Sequence, residues 1–127
     1  MKVATFNINN INRRLPNLLR WLGQAKPDIV CLQELKAADR DFPLRAINQA
    51  GYGAVWRGQK TWNGVAILAR GRGPIVTRHE LPGDPDDRQA HYIEAAVNGV
   101  IVTSLYAPNG KIQGAAVPPL GIKRSKI

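Results

Sequence analysis

Cysteine is nearly absent. Cys31 stands alone, so no intrachain disulfide can form and the chain holds no disulfide partner for itself. A reducing compartment suits such a chain. Long apolar runs are missing as well. No stretch approaches the roughly 18–20 apolar residues of a membrane span. The N-terminus MKVATFNINN has no apolar signal-peptide core, because Asn7 arrives too early. These absences imply a cytoplasmic protein with no membrane partner. Acids are scarce: 9 Asp and Glu stand against 18 Lys and Arg, a net charge of +9. That balance favours an anionic partner, nucleic acid first, with a merely soluble basic surface as the plain alternative. The excess is uneven. Residues 1–110 carry +5, and the last 17 residues carry +4 with no acid at all.

What is present reads as one α/β domain, since 127 residues suffice for a single core. KVATFNI has the Val, Thr and Phe of a strand and stops at Asn7. Ile11, Leu15, Leu18, Leu19 and Leu22 then recur at helical spacing, with Pro16 suited to a first turn and Pro27 to a stop. DIVCLQE is a short continuous apolar run, the pattern of a strand buried on both faces. Strand, helix, strand at this length predicts a right-handed crossover in a parallel pair. After a helical candidate at FPLRAINQAG, five strand-like segments follow: YGAVWRG, NGVAILAR, PIVTRHEL, HYIEAAVN and VIVTSLYAP. The tail KIQGAAVPPLGIKRSKI, residues 111–127, has paired prolines and no amphipathic period, and is expected to lack structure.

The chemistry concentrates at strand ends. Glu34 follows the buried run, where a carboxylate is costly unless it is paired or binds a cation. An ion pair with Lys36, on the same side of an extended chain, is one explanation. A hard divalent cation such as Mg²⁺, which often takes one or two protein carboxylates, is the other. Asn7 ends the first strand, and Tyr106, Pro108, Asn109 and Gly110 end the last. Strand ends that are all polar point to one rim where a ligand binds, and ordinary turn chemistry explains Asn109 equally well.

The blocks FNINNINRR, PDIVCLQELK, GYGAVWRGQKTWNGVAILAR and SLYAPNG resemble, in order, the N-terminal half of exodeoxyribonuclease III, from Met1 to Gly110. That family belongs to the endonuclease/exonuclease/phosphatase superfamily of metal-dependent phosphodiesterases. The resemblance implies half of a four-layer α/β-sandwich, a mixed sheet with helices on its outer face, with residues 1–110 as the N-terminal part of the domain. It implies Mg²⁺, with Mn²⁺ as a substitute, and double-stranded DNA as partner. It implies Glu34 as metal ligand with Asn7 beside it at the catalytic centre, and Tyr106 with its hydroxyl near the scissile phosphate. Asn109 would contact DNA near that phosphate, with Lys36 and Arg88 on the DNA or the phosphate. The implied activity is 3′-end removal and nicking beside abasic sites in DNA repair. The family's water-activating Asp–x–Asn and Asp–His blocks do not occur in this sequence, and a frameshift or early end in the encoding gene is the expected reason. A half enzyme is expected to be inactive. Although the family is monomeric, this half should self-associate through an uncovered inner sheet face.

Two other readings compete. A non-catalytic basic module would bind DNA through Arg13, Arg14, Arg57, Lys60, Arg70 and Arg72, and a relative of small-phosphate-ester hydrolases would ignore duplex DNA. The remaining chemistry-bearing residues read as structural. His79 and His91 sit in strand contexts, Asp84, Asp86 and Asp87 in a solvated loop, and Cys31 in the core. Trp21, Trp56 and Trp62 read as packing residues before base-stacking ones.

Overall fold

The first strand, β1 (Val3–Asn7), and the second, β2 (Ile29–Gln33), lie parallel, with Val3 opposite Ile29 and Asn7 opposite Gln33. The helix α1 (Leu15–Ala25) makes the crossover, as its spacing predicts. Pro16 sits in its first turn, where a missing N–H costs nothing. Lys26 closes it in a left-handed conformation, its N–H donating to the Leu22 carbonyl. A 3₁₀ turn (Asp39–Asp41) and α2 (Leu44–Gln49) lead into β3 (Tyr52–Arg57) and β4 (Val65–Arg70). β4 runs antiparallel to both β3 and β2, which makes the sheet mixed. The structure is a computed structural model. It describes residues 1–79 and 89–107, together with the backbone of the strand β8 (Lys123–Arg124). β8 pairs parallel with Ala4 and Thr5, giving the order β3-β4-β2-β1-β8. The tail, expected to lack structure, thus contributes this strand, and its other residues lie outside those described.

A second sheet comprises β5 (Ile75–Arg78), β6 (Tyr92–Val97) and β7 (Val100–Leu105), in that order and all antiparallel. Asn98 and Gly99, both at positive φ (49° and 82°), make the two-residue turn between β6 and β7.

Alternation along the central strands assigns two cores. Val30 and Leu32 of β2 and Ala66 and Leu68 of β4 face Phe6, Leu18, Leu22 and Ile47 beneath the helices. Ile29 and Cys31 of β2 and Val65, Ile67 and Ala69 of β4 face the opposite way, onto Ile93, Ala95, Val97 and Val102 of the second sheet. Burying each large aliphatic side chain stabilises the fold by about 1.5–3 kcal/mol. This arrangement corrects one expectation. The chain carries strands of both sheets, so the inner face of the first sheet is covered by the chain itself. Among the described residues, the large apolar side chains that stay exposed are Met1, Trp62, Ile75, Val100 and Ile101.

Candidate active site

β1, β2 and β7 all end at one rim of the sandwich. Beyond its last residue β2 does not run on extended. Glu34 and Lys36 take left-handed backbone conformations, with φ 54° and 50°. For a residue with a Cβ this costs about 1–2 kcal/mol, and such strain persists only where neighbours hold it. Here they do so from both sides. Asn10 and Ile11 donate to the carbonyls of Glu34 and Leu35, while Leu35 and Lys36 donate to the carbonyls of Gly64 and Asn63. Gly64 approaches so closely that a Cβ on it would lie 2.7 Å from the Leu35 Cβ, at a φ of 94° that already favours glycine.

The turn aims the Glu34 carboxylate across the gap between the sheets, where the Tyr106 hydroxyl donates to Oε1 at 2.6 Å. This short hydrogen bond to a charged acceptor joins residues 72 apart in sequence. The Glu34 carboxylate raises the Tyr106 phenol above its ordinary range, with burial and Glu34's negative charge adding to the effect. A hydroxyl held neutral and pointing at a carboxylate can be turned onto an incoming anion.

Of the two explanations offered for Glu34, the ion pair with Lys36 is not made. Because both residues are left-handed, the same-side argument for an extended chain fails, and Lys36 Nζ donates instead to Asn9 Oδ1 at 2.5 Å. The Asn9 N–H in turn donates to Asn7 Oδ1 at 3.0 Å. Asn7 is therefore one strand from the turn, opposite Gln33, with its carboxamide tied to the Asn9–Lys36 group. The rim holds two small clusters, Glu34–Tyr106 and Asn7–Asn9–Lys36. Arg88 and Asn109, the other expected DNA contacts, lie outside the described residues, as do Asp84, Asp86 and Asp87.

Sequence reasoning missed the supports. Asn9 is one. The others are Gln33, Asn63 and Ser104, the buried polar side chains of the described residues. Asn63 Nδ2 donates to Gln59 Oε1 and Gln89 Oε1, at 3.1 and 2.8 Å, fixing the loop that receives the Lys36 N–H. Gly64 adds a bond to the Ala90 carbonyl at 2.6 Å. A polar residue next to an apolar run was the only signal available for them.

Of the residues expected to be structural, Cys31 lies in the inner core and Trp21 and Trp56 pack against the core beneath the helices. Burial pushes the Cys31 thiol up to about 12, which removes it as a nucleophile. Trp21 packs edge-on against Phe6, and Trp56 stacks on Phe42 with centroids 4.3 Å apart. Trp62 alone of the three is exposed. The basic residues of the module reading do not form one stripe. Arg70 is paired with Asp28 at the opposite end of β4, while Arg14 Nε and Arg57 donate to the carbonyls of Asn9 and His79.

No helix among the described residues is long and apolar enough to cross a membrane, and no group of three or more His, Cys, Asp or Glu is placed to hold a metal ion. Among the described residues, Glu34 is the carboxylate that the Tyr106 hydroxyl meets at the rim. That suits a hard cation that completes its shell from water and substrate oxygens, and it does not suit a closed protein cage.

Comparison with known proteins bears on the same residues. The pattern of the Endonuclease/Exonuclease/phosphatase family matches residues 4–122. The chain is 36% identical over 115 residues to exodeoxyribonuclease III of Haemophilus influenzae, covering 87% of this chain and 43% of that one. Among solved structures it resembles a 3′ phosphatase from Neisseria, NExo, bound to product DNA hairpin (TM-score 0.79, 44% identity, 87% of this chain and 42% of that one). It also resembles an AP endonuclease from Archaeoglobus fulgidus (TM-score 0.79, 40% identity, with the same coverage). The chain therefore spans about two-fifths of the length of these relatives. With its mixed sheet, its facing second sheet and the Glu34–Tyr106 pair between them, the chain belongs to the Endonuclease/Exonuclease/phosphatase family, and its resemblance is to the exodeoxyribonuclease III group within it.

Proposed function

We propose that this chain carries the metal-binding half of a Mg²⁺-dependent DNA phosphodiesterase of DNA repair, one that trims 3′ ends and incises beside abasic sites in duplex DNA. The single observation behind the reading is the Tyr106–Glu34 hydrogen bond across the gap between the sheets. The relatives' printed activities on DNA and the net charge of +9 support it.

In this reading Glu34 holds the cation, with the Asn7 carboxamide beside it, and Mn²⁺ can substitute for Mg²⁺. When bound, the cation neutralises charge growing on the phosphate. The chain's own residues do the rest. Tyr106 presents a proton donor toward the phosphate. Lys36, held by Asn9, places a positive charge near the same rim without neutralising Glu34. Asn109 and Arg88 are assigned to the DNA near the phosphate and to its backbone. Nothing in residues 1–127 corresponds to the family's water-activating blocks, so the chain by itself is expected to bind without turnover.

The test is binding and incision of an abasic duplex with and without Mg²⁺, for the wild-type chain and Glu34→Ala. Binding that strengthens with Mg²⁺ only when Glu34 is present, without cleavage, is the expected result. Cleavage abolished by Glu34→Ala would overturn the expected inactivity. Salt-sensitive binding indifferent to both Mg²⁺ and Glu34 would favour the non-catalytic basic module.

A further inference from the structure

Burying a polar side chain costs free energy unless hydrogen bonds replace the lost water, so Gln33, Asn63 and Ser104 need a reason to be inside. Gln33 supplies the clearest one. Its Nε2 donates to Thr5 Oγ1 at 2.9 Å and to Ser104 Oγ at 3.2 Å. Ser104 Oγ donates onward to the Leu32 carbonyl at 2.9 Å. One carboxamide thus spans β1, β2 and β7, and with them both sheets. Each anchor lies just below a rim residue: Thr5 two before Asn7, Gln33 one before Glu34, Ser104 two before Tyr106.

Elsewhere the two sheets meet largely through aliphatic side chains such as Ile67, Ile93 and Val102, with one weak thiol bond from Cys31 Sγ to the Thr103 carbonyl at 3.7 Å. Apolar contact is non-directional and sets no fine register. The Tyr106–Glu34 bond bridges the same gap at 2.6 Å and needs one. Hydrogen bonds in a buried, satisfied network provide it, because their geometry is directional and strengthened by the low dielectric.

We propose that Gln33 is a positioning residue: its carboxamide fixes the separation and register of the two sheets at the level of the rim, and so sets the reach of Tyr106 onto Glu34. The assignment rests on the reading of Glu34 and Tyr106 as site residues, while its test does not depend on activity. Gln33→Leu removes both donors at similar size and leaves Ser104 its bond to Leu32. Ser104→Ala cuts the tie from the β7 side and leaves Gln33 bonded to Thr5. The measurement is native-state amide hydrogen exchange by NMR. At the rim, the reporters are the N–H groups of Asn10, Lys36 and Tyr106, which donate to the carbonyls of Glu34, Asn63 and His91. At the far end of the same sheet, they are Asp28 and Arg70, which donate to the carbonyls of Lys2 and Asp28.

The expected result is exchange about tenfold faster at the rim, the worth of one or two ordinary hydrogen bonds, and less than about twofold faster at the far end. A purely structural role would accelerate both ends alike. Equal acceleration at both ends, or none at the rim, overturns the assignment. Should Gln33→Leu fail to fold, Ser104→Ala decides by the same comparison. Failure of the nuclease reading would show separately, in DNA binding indifferent to Glu34→Ala.

Discussion

The two ends of β2 solve the same problem in opposite ways. At its start Asp28 meets Arg70 at 2.8 Å and accepts the Lys2 N–H at 2.6 Å, so the acid is neutralised by its own surroundings. At its finish Glu34 is met by a neutral hydroxyl, and the nearest lysine in sequence, Lys36, is led away to Asn9. The backbone is left-handed there, at Glu34 and Lys36. One end is finished; the other holds a carboxylate with no ion pair among the described residues, on strained backbone and beside buried amides. Strain and such a carboxylate in one place mark a site that stability alone does not explain.

The largest expected effect erases the contrast. Ile67 is fully buried between the sheets under both ends. Ile67→Ala should cost about 2–5 kcal/mol by urea unfolding and loosen both ends together. Gly64→Ala should open only the Glu34 end. Its new Cβ would press on Leu35 at 2.7 Å, and the cost should be about 1–3 kcal/mol. Its signature is chemical-shift change confined to the Glu34–Lys36 turn, with the Asp28–Arg70 pair undisturbed.

Smaller effects separate the ends by pH. The Tyr106 phenol is raised above 10.0, chiefly by its bond to Glu34. Its contribution to stability is complete below about pH 10 and is lost as pH rises through the folded value. Tyr52 and Tyr92 are raised as well, chiefly by burial, so Glu34→Gln should weaken the alkaline limb without abolishing it. Ultraviolet tyrosinate titration, with Tyr106→Phe to assign the signal, checks this. Asp28 shows the reverse sign. Its carboxyl is lowered from 3.8, first by the Lys2 N–H and then by Arg70, so its contribution is present above that pH and fades as pH falls. Arg70→Met should flatten the acid limb of a stability–pH curve, the smallest of these changes because the pair is exposed.

Much of this was legible in the residues. The 3.6 spacing of Leu15, Leu18 and Leu22 located α1, and the apolar run of β2 announced burial on two faces. That run could not say what covers the second face. Strand patterns carry no partner label, so the second sheet, built from β5 to β7, went unassigned to this chain's own inner core. Strand ends and resemblance single out Glu34 and Tyr106, and the structure brings the two side chains into hydrogen-bond contact. The ion-pair alternative for Glu34 and Lys36 fails because spacing arguments assume extended backbone. Positive φ at residues other than glycine leaves no mark in composition. Gln33, Asn63 and Ser104 were invisible for a related reason: a polar residue beside a turn looks solvated until its long-range partners are known.

The inner core also bears on synthesis. Its walls are β2 and β4 on one side and the β6–β7 hairpin on the other, all complete by residue 105. A ribosome that has released that much chain has delivered both surfaces of the oily layer, so collapse can precede whatever polypeptide is made next.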